Sequence, residues 1–390
     1  MKIFNKNEWK KVKLGDVCEV ITGNTPLKKI KEYWDKDEVP FITPPELKYE
    51  GINYITPNIY VSKIGAKQGR IIPKNSICVC CIGSLGKLGI LKEDAITNQQ
   101  INSLILKDKN VDLLYLYFYL KTIKNNLESI ASSTTVKIIN KSSFEKIDIN
   151  LPSLEIQKKI CKKLELLENN INFRKSQLNS LNELSKSLFT IMFGDIKSNS
   201  KNWKIYKFSE KLNISSGGTP SKSNKTYWEN GTISWIGSNM CNDKIIIQND
   251  GKFITEEGLK NSSAKIYKPN TVIVALVGAT IGKTGLLKFE TSTNQNIAAL
   301  EIKNIDYSPE FLFFLLQNLY YKFNELGGDT FKMANLSFIR NLPLVSPPIE
   351  LQNKFAERIE KIEKLKFEIE KSIEIAQNLY DSLISKYFDN

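Results

Sequence analysis

An internal repeat constrains the fold of this chain more than any other feature of its sequence. The segment ITGNTP at 21–26 reappears as SSGGTP at 215–220, which is an offset of 194 residues. The dipeptide YW at 33–34 reappears at the same offset, at 227–228. Matching segments so far apart in one chain are typical of a duplicated domain. The 390 residues are therefore expected to form two similar domains.

The repeat extends into the later part of each half. The dipeptide NQ at 98–99 returns at 294–295, and Gln157 matches Gln352. Residues that both halves share suit a common task, such as contact with phosphate or the start of a helix. Three further pairs lie 195 residues apart: Thr135 with Thr330, Lys137 with Lys332, and Asn140 with Asn335.

A glycine-rich stretch at 272–285, VIVALVGATIGKTG, raises the possibility of a nucleotide-binding enzyme. A phosphate-binding P-loop has four residues between its glycines and leads into a helix. Here three residues separate Gly278 from Gly282, and the aligned segment GSLGKLG at 83–89 has no Ser or Thr after its lysine. Since both copies keep Gly-Lys-x-Gly after an apolar run, the pattern predicts a turn between strands.

The chain contains no histidine and six cysteines. Without histidine, Ser-His-Asp triads and Cys₂His₂ zinc fingers are excluded. Cys78 and Cys81 form a lone CxxC, and the repeat aligns them with Val274 and Val277. A structural zinc site needs a second pair of ligands. These cysteines are therefore predicted to be buried apolar positions, and no metal or cofactor is expected.

Each half begins with a mixed region that predicts an α+β domain. β-Branched and apolar runs at 76–82 and 271–277 are typical of strands. An aromatic helix is predicted to follow Asp112 in the first half and Ser308 in the second, since both residue types cap helices well.

Each half ends in a heptad pattern about 35 residues long, which predicts a helical rod of roughly 50 Å. Because a globular domain separates the two helices, they are expected to pair as an antiparallel coiled coil. The predicted core residues of the first helix are Ile160, Leu164, Leu167, Ile171, Leu178, Leu181 and Leu188. Those of the second helix are Phe355, Ile359, Ile362, Ile369, Ile373 and Leu383.

The chain carries a formal net charge of +13. Residues 1–150 have 23 basic and 16 acidic side chains, and residues 195–345 have 18 and 13. Basic globular segments favour a polyanionic partner, most often nucleic acid. No apolar run reaches the roughly 18 residues of a membrane span, and the N-terminus lacks the apolar core of a signal peptide. A cytoplasmic protein without membrane contact is expected.

With these marks the chain resembles the specificity (S) subunit of type I restriction–modification enzymes. The resemblance rests on paired G-x-TP and YW openings, paired NQ segments, the helix entries LPSLEIQ and PPIELQ, and FGD at 193–195. The second helix departs from this pattern because it ends in YFDN. The implied domains are a target recognition domain at 1–150, a spacer helix at 151–194, a second recognition domain at 195–345 and a second helix at 346–390.

The resemblance implies that each recognition domain reads one half of a split, asymmetric site in double-stranded DNA, while the helices set the spacing. It also implies two kinds of partner. Modification subunits carry S-adenosylmethionine and methylate adenine, and restriction subunits use ATP and cut DNA. The S subunit has no chemistry of its own. In agreement, TPPE at 43–46 and SPPI at 346–349 lack the Asn/Asp-Pro-Pro-aromatic loop of an adenine methyltransferase.

Candidate DNA contacts are polar and basic residues on predicted loops. The segment at 62–70 concentrates them in the first half, and its aligned region at 256–265 differs strongly. A free-standing DNA-binding regulator remains an alternative to the S subunit. The candidate residues are Lys63, Lys67, Gln68, Arg70, Thr135, Lys137, Asn140, Lys260, Lys265, Thr330, Lys332 and Asn335.

Overall fold

The computed structural model describes residues 6–131, 136–326 and 333–388. The chain forms two compact units, one of Met1–Ser176 with Glu370–Asn390 and one of Gln177–Ile369. Each unit contains one α+β domain and one end of each of two long helices, α6 (Leu154–Phe193) and α12 (Ile349–Phe388). Among the described residues, no helix is both long and apolar enough to cross a membrane.

The first domain is built on short strands in three sheets. The strands are β1 (Lys10–Lys13), β2 (Cys18–Thr22), β3 (Val39–Ile42), β4 (Tyr60–Val61), β5 (Ile77–Cys80), β6 (Leu88–Ile90), β7 (Ile96–Thr97), β8 (Ile101–Leu106) and β9 (Asp148–Leu151). One sheet has the order β2-β8-β5-β6, a second has the order β4-β3-β7, and β1 pairs with β9. Within the second sheet β3 and β7 run parallel, with Phe41 opposite Ile96.

Short helices connect and cover these strands. They are the α-helices α1 (Leu14–Val17), α2 (Lys63–Ala66), α3 (Leu113–Thr122), α4 (Lys124–Ile130) and α5 (Lys141–Glu145), and the 3₁₀ turns η1 (Lys6–Glu8), η2 (Lys31–Tyr33) and η3 (Pro44–Glu46). The side chain of Asp112 accepts from the backbone N–H groups of Leu114 and Tyr115 at 3.0 and 3.1 Å. The predicted cap of the aromatic helix α3 is thereby confirmed.

The second domain repeats this plan. Its strands are β10 (Lys204–Lys207), β11 (Leu212–Ser216), β12 (Ile233–Ile236), β13 (Lys244–Ile246), β14 (Phe253–Ile254), β15 (Ile266–Tyr267), β16 (Val272–Ala275), β17 (Thr284–Leu287), β18 (Thr291–Thr293), β19 (Ile297–Ile302) and β20 (Pro343–Ser346). The sheets have the orders β11-β19-β16-β17-β13 and β14-β12-β18-β15, and β10 pairs with β20. The strands β13 and β15 extend the two larger sheets beyond those of the first domain.

The helices of the second domain also match those of the first. They are α7 (Phe208–Lys211), α8 (Glu256–Lys260), α9 (Pro309–Asn318), α10 (Tyr320–Asn324) and α11 (Leu336–Arg340), with the 3₁₀ turns η4 (Lys225–Tyr227), η5 (Ser238–Met240) and η6 (Gly278–Thr280). The predicted cap of α9 is confirmed, because the Ser308 hydroxyl accepts from the backbone N–H of Phe311 at 3.0 Å.

The glycine-rich stretch joins two antiparallel strands, as predicted. It connects β16 to β17, where Val272 lies opposite Leu286. Gly278 and Gly282 have φ values of 76° and 77°, in the left-handed region that favours glycine. A strand, β17, follows the loop where a P-loop has a helix, so this stretch is not a P-loop.

The cysteines of β5 lie in the core, as predicted. Ile77 and Val79 face one apolar cluster, while Cys78 and Cys80 face another, so both sides of the strand are buried. All six cysteines of the chain are free and buried. Burial raises the pKa of Cys78 and of Cys81 to about 12.

A buried glutamine holds the start of each long helix against its domain. The Gln157 amide nitrogen donates to the carbonyls of Asn110 and Pro152, both at 2.9 Å, and its oxygen accepts from Asp112 N at 2.8 Å. Gln352 does the same with Asp306, Pro347 and Ser308 at 3.2, 2.9 and 3.0 Å. The matched glutamines therefore tie each helix entry to the cap of the preceding aromatic helix.

The long helices pack antiparallel within each unit, as expected. In the first unit the beginning of α6 lies against the end of α12, and Leu164 shares a buried cluster with Leu383. In the second unit the end of α6 lies against the beginning of α12, and Phe189 shares a cluster with Phe355.

The predicted core positions are buried to different degrees. Ile160, Leu164, Ile171, Phe355, Ile359, Ile362 and Leu383 are buried, while Leu167, Leu178, Leu181, Leu188, Ile369 and Ile373 are half-buried. The residues that follow Leu167 and Leu188 in the chain, Glu168 and Phe189, are buried instead. Glu168 contacts Lys121 and the Tyr380 hydroxyl there, and Phe189 packs on the rings of Phe311 and Phe355.

Candidate nucleic-acid interface

In the first domain, helix α2 presents its basic residues beside the turn η2. The Ser62 hydroxyl accepts from Gly65 N at 3.0 Å and donates to the Glu32 carbonyl at 2.6 Å. A Cβ added at Gly65 would lie 2.4 Å from the Tyr33 carbonyl oxygen, so only glycine allows this close approach. Lys63, the first residue of this helix, and Lys67, its C-cap, are both exposed.

The second domain repeats this arrangement at helix α8. Thr255 caps the helix through Gly258 N at 3.1 Å and donates to the Thr226 carbonyl at 2.8 Å. Ser62 and Thr255 cap their helices in the same way and therefore occupy equivalent positions. They lie 193 residues apart, one residue fewer than in the alignment of the two segments by sequence. Lys67 and Lys260 then occupy equivalent, exposed positions. Lys265 is also exposed, just before β15.

Gln68 and Arg70 join helix α2 to the domain's opening segment. Asn24 donates to the Gln68 carbonyl at 2.6 Å, and the Arg70 guanidinium donates to the Thr22 carbonyl at 2.5 Å. Both side chains are exposed. The structure thus places Lys63, Lys67, Gln68 and Arg70 on one continuous segment, while their contact with DNA stays a prediction.

The paired sequence marks lie side by side in each domain. The Thr25 hydroxyl donates to the Gln99 side chain at 2.7 Å, and Thr219 donates to Gln295 at 2.6 Å. A Cβ at Gly23 would come within 2.2 Å of the Thr97 carbonyl oxygen. The G-x-TP and NQ segments are therefore two sides of one contact.

Only some of the residues common to both halves lie in the described part of the chain. Thr135, Thr330 and Lys332 lie outside the described residues. Asn140 caps α5 by accepting from Ser143 N, and Asn335 caps α11 by accepting from Phe338 N, both at 2.8 Å. These caps account for the matched asparagines, because an N-cap needs a short polar side chain.

Lys137 forms an ion pair with Glu128 at 2.9 Å. Hydrogen bonding and charge attraction from Lys137 lower the pKa of the Glu128 carboxyl. The two side chains are 49% and 38% exposed, so water screens the pair and Lys137 can exchange this partner for a phosphate.

Two further exposed lysines were not predicted as DNA contacts from the sequence. Lys31 lies on η2 next to α2, and Lys225 lies on η4 next to α8. The signal that could have found them is the repeat itself, since the two lysines are 194 residues apart. Each domain thus carries basic side chains on two adjoining elements.

Acidic, cysteine and histidine side chains do not cluster in the described part of the chain in any group of three or more that could hold a metal ion. What the described surface offers instead is exposed lysine on small helices, next to exposed amides. Such an arrangement can bind phosphates and hydrogen-bond to the edges of bases.

Comparisons with known proteins find the same internal repeat. The family model for the type I restriction modification DNA specificity domain matches twice, over residues 6–183 and 200–377. The MjaIX specificity subunit of Methanocaldococcus jannaschii, a type I restriction enzyme subunit, is 27% identical over 405 residues, covering 97% of this chain and 92% of that protein. The HindI specificity subunit of Haemophilus influenzae is 36% identical over 182 residues, covering 44% of this chain and 39% of that protein.

A solved structure shows the same fold. The S subunit of a type I restriction–modification system from M. genitalium has a TM-score of 0.64 at 18% identity, covering 100% of this chain and 98% of that chain. At this level of identity the likeness concerns the fold alone.

The lysines and arginine of the first domain give a direct test of the interface. Changing Lys63, Lys67 and Arg70 together to Ala is expected to weaken DNA binding and to reduce its salt dependence. Each lost phosphate contact should lower the slope of log K against log salt by about 0.9. The measurement is a salt titration of binding to duplex DNA. A matched triple variant of exposed lysines elsewhere in the domain, at Lys74, Lys92 and Lys109, should change the slope much less. Equal slopes in the two triple variants would contradict the assignment.

Proposed function

Because this chain belongs to the type I restriction modification DNA specificity family, we propose that each of its two domains reads one half of a bipartite, asymmetric DNA site. The observation that carries this proposal is the repetition of exposed lysines on matching elements, at α2 and η2 in one domain and at α8 and η4 in the other. Two copies of one scaffold with different exposed side chains suit two different half-sites. We further propose that the long helices set the distance between the half-sites.

The function is tested in the host by sequencing methylated adenines with and without this gene. Loss of methylation at one split motif on deletion, and its return on complementation, is the expected result. An unchanged methylation pattern in the deletion strain would contradict the proposal. The experiment also supplies the target sequence.

The long helices support a second part of the proposal, the docking of partner subunits. Large apolar side chains on the helices remain exposed: Leu166, Phe173, Leu184, Ile191, Leu365, Phe367, Ile375 and Leu379. Phe173 is 61% and Ile191 72% exposed. Leu166 and Phe173 are seven residues apart and therefore share one face of α6, and an exposed apolar face on a helix supports contact with a partner protein. The proposed partners are modification subunits that use S-adenosylmethionine, joined by restriction subunits that use ATP. The chain itself supplies recognition without catalysis, in the cytoplasm.

Charged substitutions on this apolar surface are expected to release the modification subunit. Changing Leu166 and Phe173 to Asp should reduce co-purification about tenfold or more, because buried charges replace apolar contact. The control, Asn169→Asp with Asn172→Asp, adds the same charge at exposed polar positions of α6. Co-purification of both variants at the level of the unchanged protein would favour a free-standing DNA-binding regulator.

A further inference from the structure

A cleft in the second domain has two fixed tryptophan walls. The rings of Trp228 and Trp235 are 5.2 Å apart and cross at 83°. Their indole N–H groups donate to the carbonyls of Ser221 and Gly218 at 3.1 and 2.9 Å. The cleft has a volume of about 540 Å³. Its polar lining includes Lys222, Lys225, Ser238, Asn239, Lys252 and Asn294.

The crossed pair of aromatic rings beside this cleft is repeated in the first domain. There Trp34 and Phe41 are 5.3 Å apart and cross at 88°. The lysines of the cleft also have counterparts, since Lys222 and Lys225 match Lys28 and Lys31 at the offset of 194, and all four are exposed. Features that stay constant between two reading domains suit the constant part of DNA, the phosphate backbone.

The 3₁₀ turn that follows this part of the sheet carries different side chains in the two domains. Strands β3 and β12 each end in a 3₁₀ turn, η3 and η5, so the backbone course is alike. In the first domain the turn contains Glu46, which is only 7% exposed. Its carboxylate accepts from Thr43 N and Oγ1 at 2.9 and 2.8 Å and from the Asn58 amide at 3.1 Å. This carboxylate therefore stabilises the turn through its hydrogen bonds.

In the second domain the turn presents an exposed amide, that of Asn239. Its nitrogen lies 3.5 Å from the Asp250 carboxylate, at the outer limit of a hydrogen bond. Asp250 is already paired with Lys252 at 2.6 Å. A Cβ at Gly237 would come within 2.7 Å of Asn239 Oδ1, so glycine at this position leaves room for the amide. The Asn239 side chain is thus available to an outside partner.

We propose that Asn239 is a base-reading residue of the second domain, and that Lys222 and Lys225 hold the phosphate backbone beside it. This inference rests on the proposed function and names residues for it. An asparagine amide presents a donor and an acceptor that match N6 and N7 of adenine in the major groove. The pair read by Asn239 is therefore A·T, within the half-site of the second domain.

The test uses the full chain assembled with its modification subunit and a library of sites in which the second half-site is randomised. Asn239→Ala should lower the preference for one A·T pair by about 5- to 150-fold, the range for a lost bidentate base contact. Preference at the other positions and in the first half-site should not change. The matched control is Asn213→Ala, at an exposed asparagine on β11, at the edge of the other large sheet.

The lysines supply the second arm of the experiment. Changing Lys222 and Lys225 to Ala should weaken binding to all sequences alike and lower the salt slope by about 2. The assignment is overturned if Asn239→Ala keeps the sequence preference of the unchanged protein, or if it weakens all sequences equally, as the lysine variant does. If the unchanged complex itself selects no sequence, the proposed function fails instead.

Discussion

Exchange of residues 1–150 for the matching domain of a relative is expected to change one half of the methylated site and leave the other half as it was. The reason lies in the two units, because each domain packs on its own core clusters and presents its own exposed side chains. The hybrid is expressed with its modification subunit, and its methylated adenines are sequenced.

The reciprocal exchange of residues 195–345 is the control for this experiment, and it should change the other half-site alone. Changes in both half-sites from a single exchange would show that the two domains do not read DNA independently. A changed gap between otherwise unchanged half-sites would show that the helices do not set the spacing by themselves.

Removal of one charge from a buried network in the first unit is the second large effect expected. Lys121 forms an ion pair with Glu168, whose carboxylate also accepts from the Tyr380 hydroxyl at 2.8 Å. The two charged side chains are 13% and 7% exposed. Lys121→Met would leave Glu168 buried without its counter-ion, which should lower the free energy of unfolding by about 3–5 kcal/mol.

Urea unfolding of the single variant and of Lys121→Met with Glu168→Leu measures this effect. The double variant should recover much of the lost stability, since an apolar pair of similar volume carries no desolvation cost. As a control, Lys159→Met breaks an exposed pair with Glu155 and should change stability little. Equal stability of the single and double variants would mean that the buried charge is satisfied in another way.

The same network shows where sequence reasoning reached its limit. The heptad pattern identified both helices, because apolar spacing marks the face of a helix that is buried, and the globular domain between the helices predicted their antiparallel pairing. It placed Leu167 in the core and missed its neighbour Glu168, since a glutamate is normally assigned to the surface. The partner that makes its burial possible, Lys121, lies 47 residues earlier in the chain. Contacts of that kind depend on the tertiary fold and leave no local pattern.

The repeat predicted the candidate interface only in part. It identified matched residues, and Asn140 and Asn335 prove to be helix caps. It could not align helix α2 with α8 correctly, because the halves differ there in both length and composition. The capping residues Ser62 and Thr255 fix that alignment through backbone hydrogen bonds, and those are visible only in the structure.

The buried cysteines have a practical consequence for spectroscopy on this chain. Maleimides and similar reagents attack the thiolate, and burial raises the pKa of each of the six thiols, so little thiolate forms at neutral pH. Since all six native thiols are also shielded by packing, none competes with a cysteine introduced at the surface. Dyes placed at Ile305 and Leu27, which are 93% and 57% exposed, would thus report the distance between the two domains on DNA without a cysteine-free background.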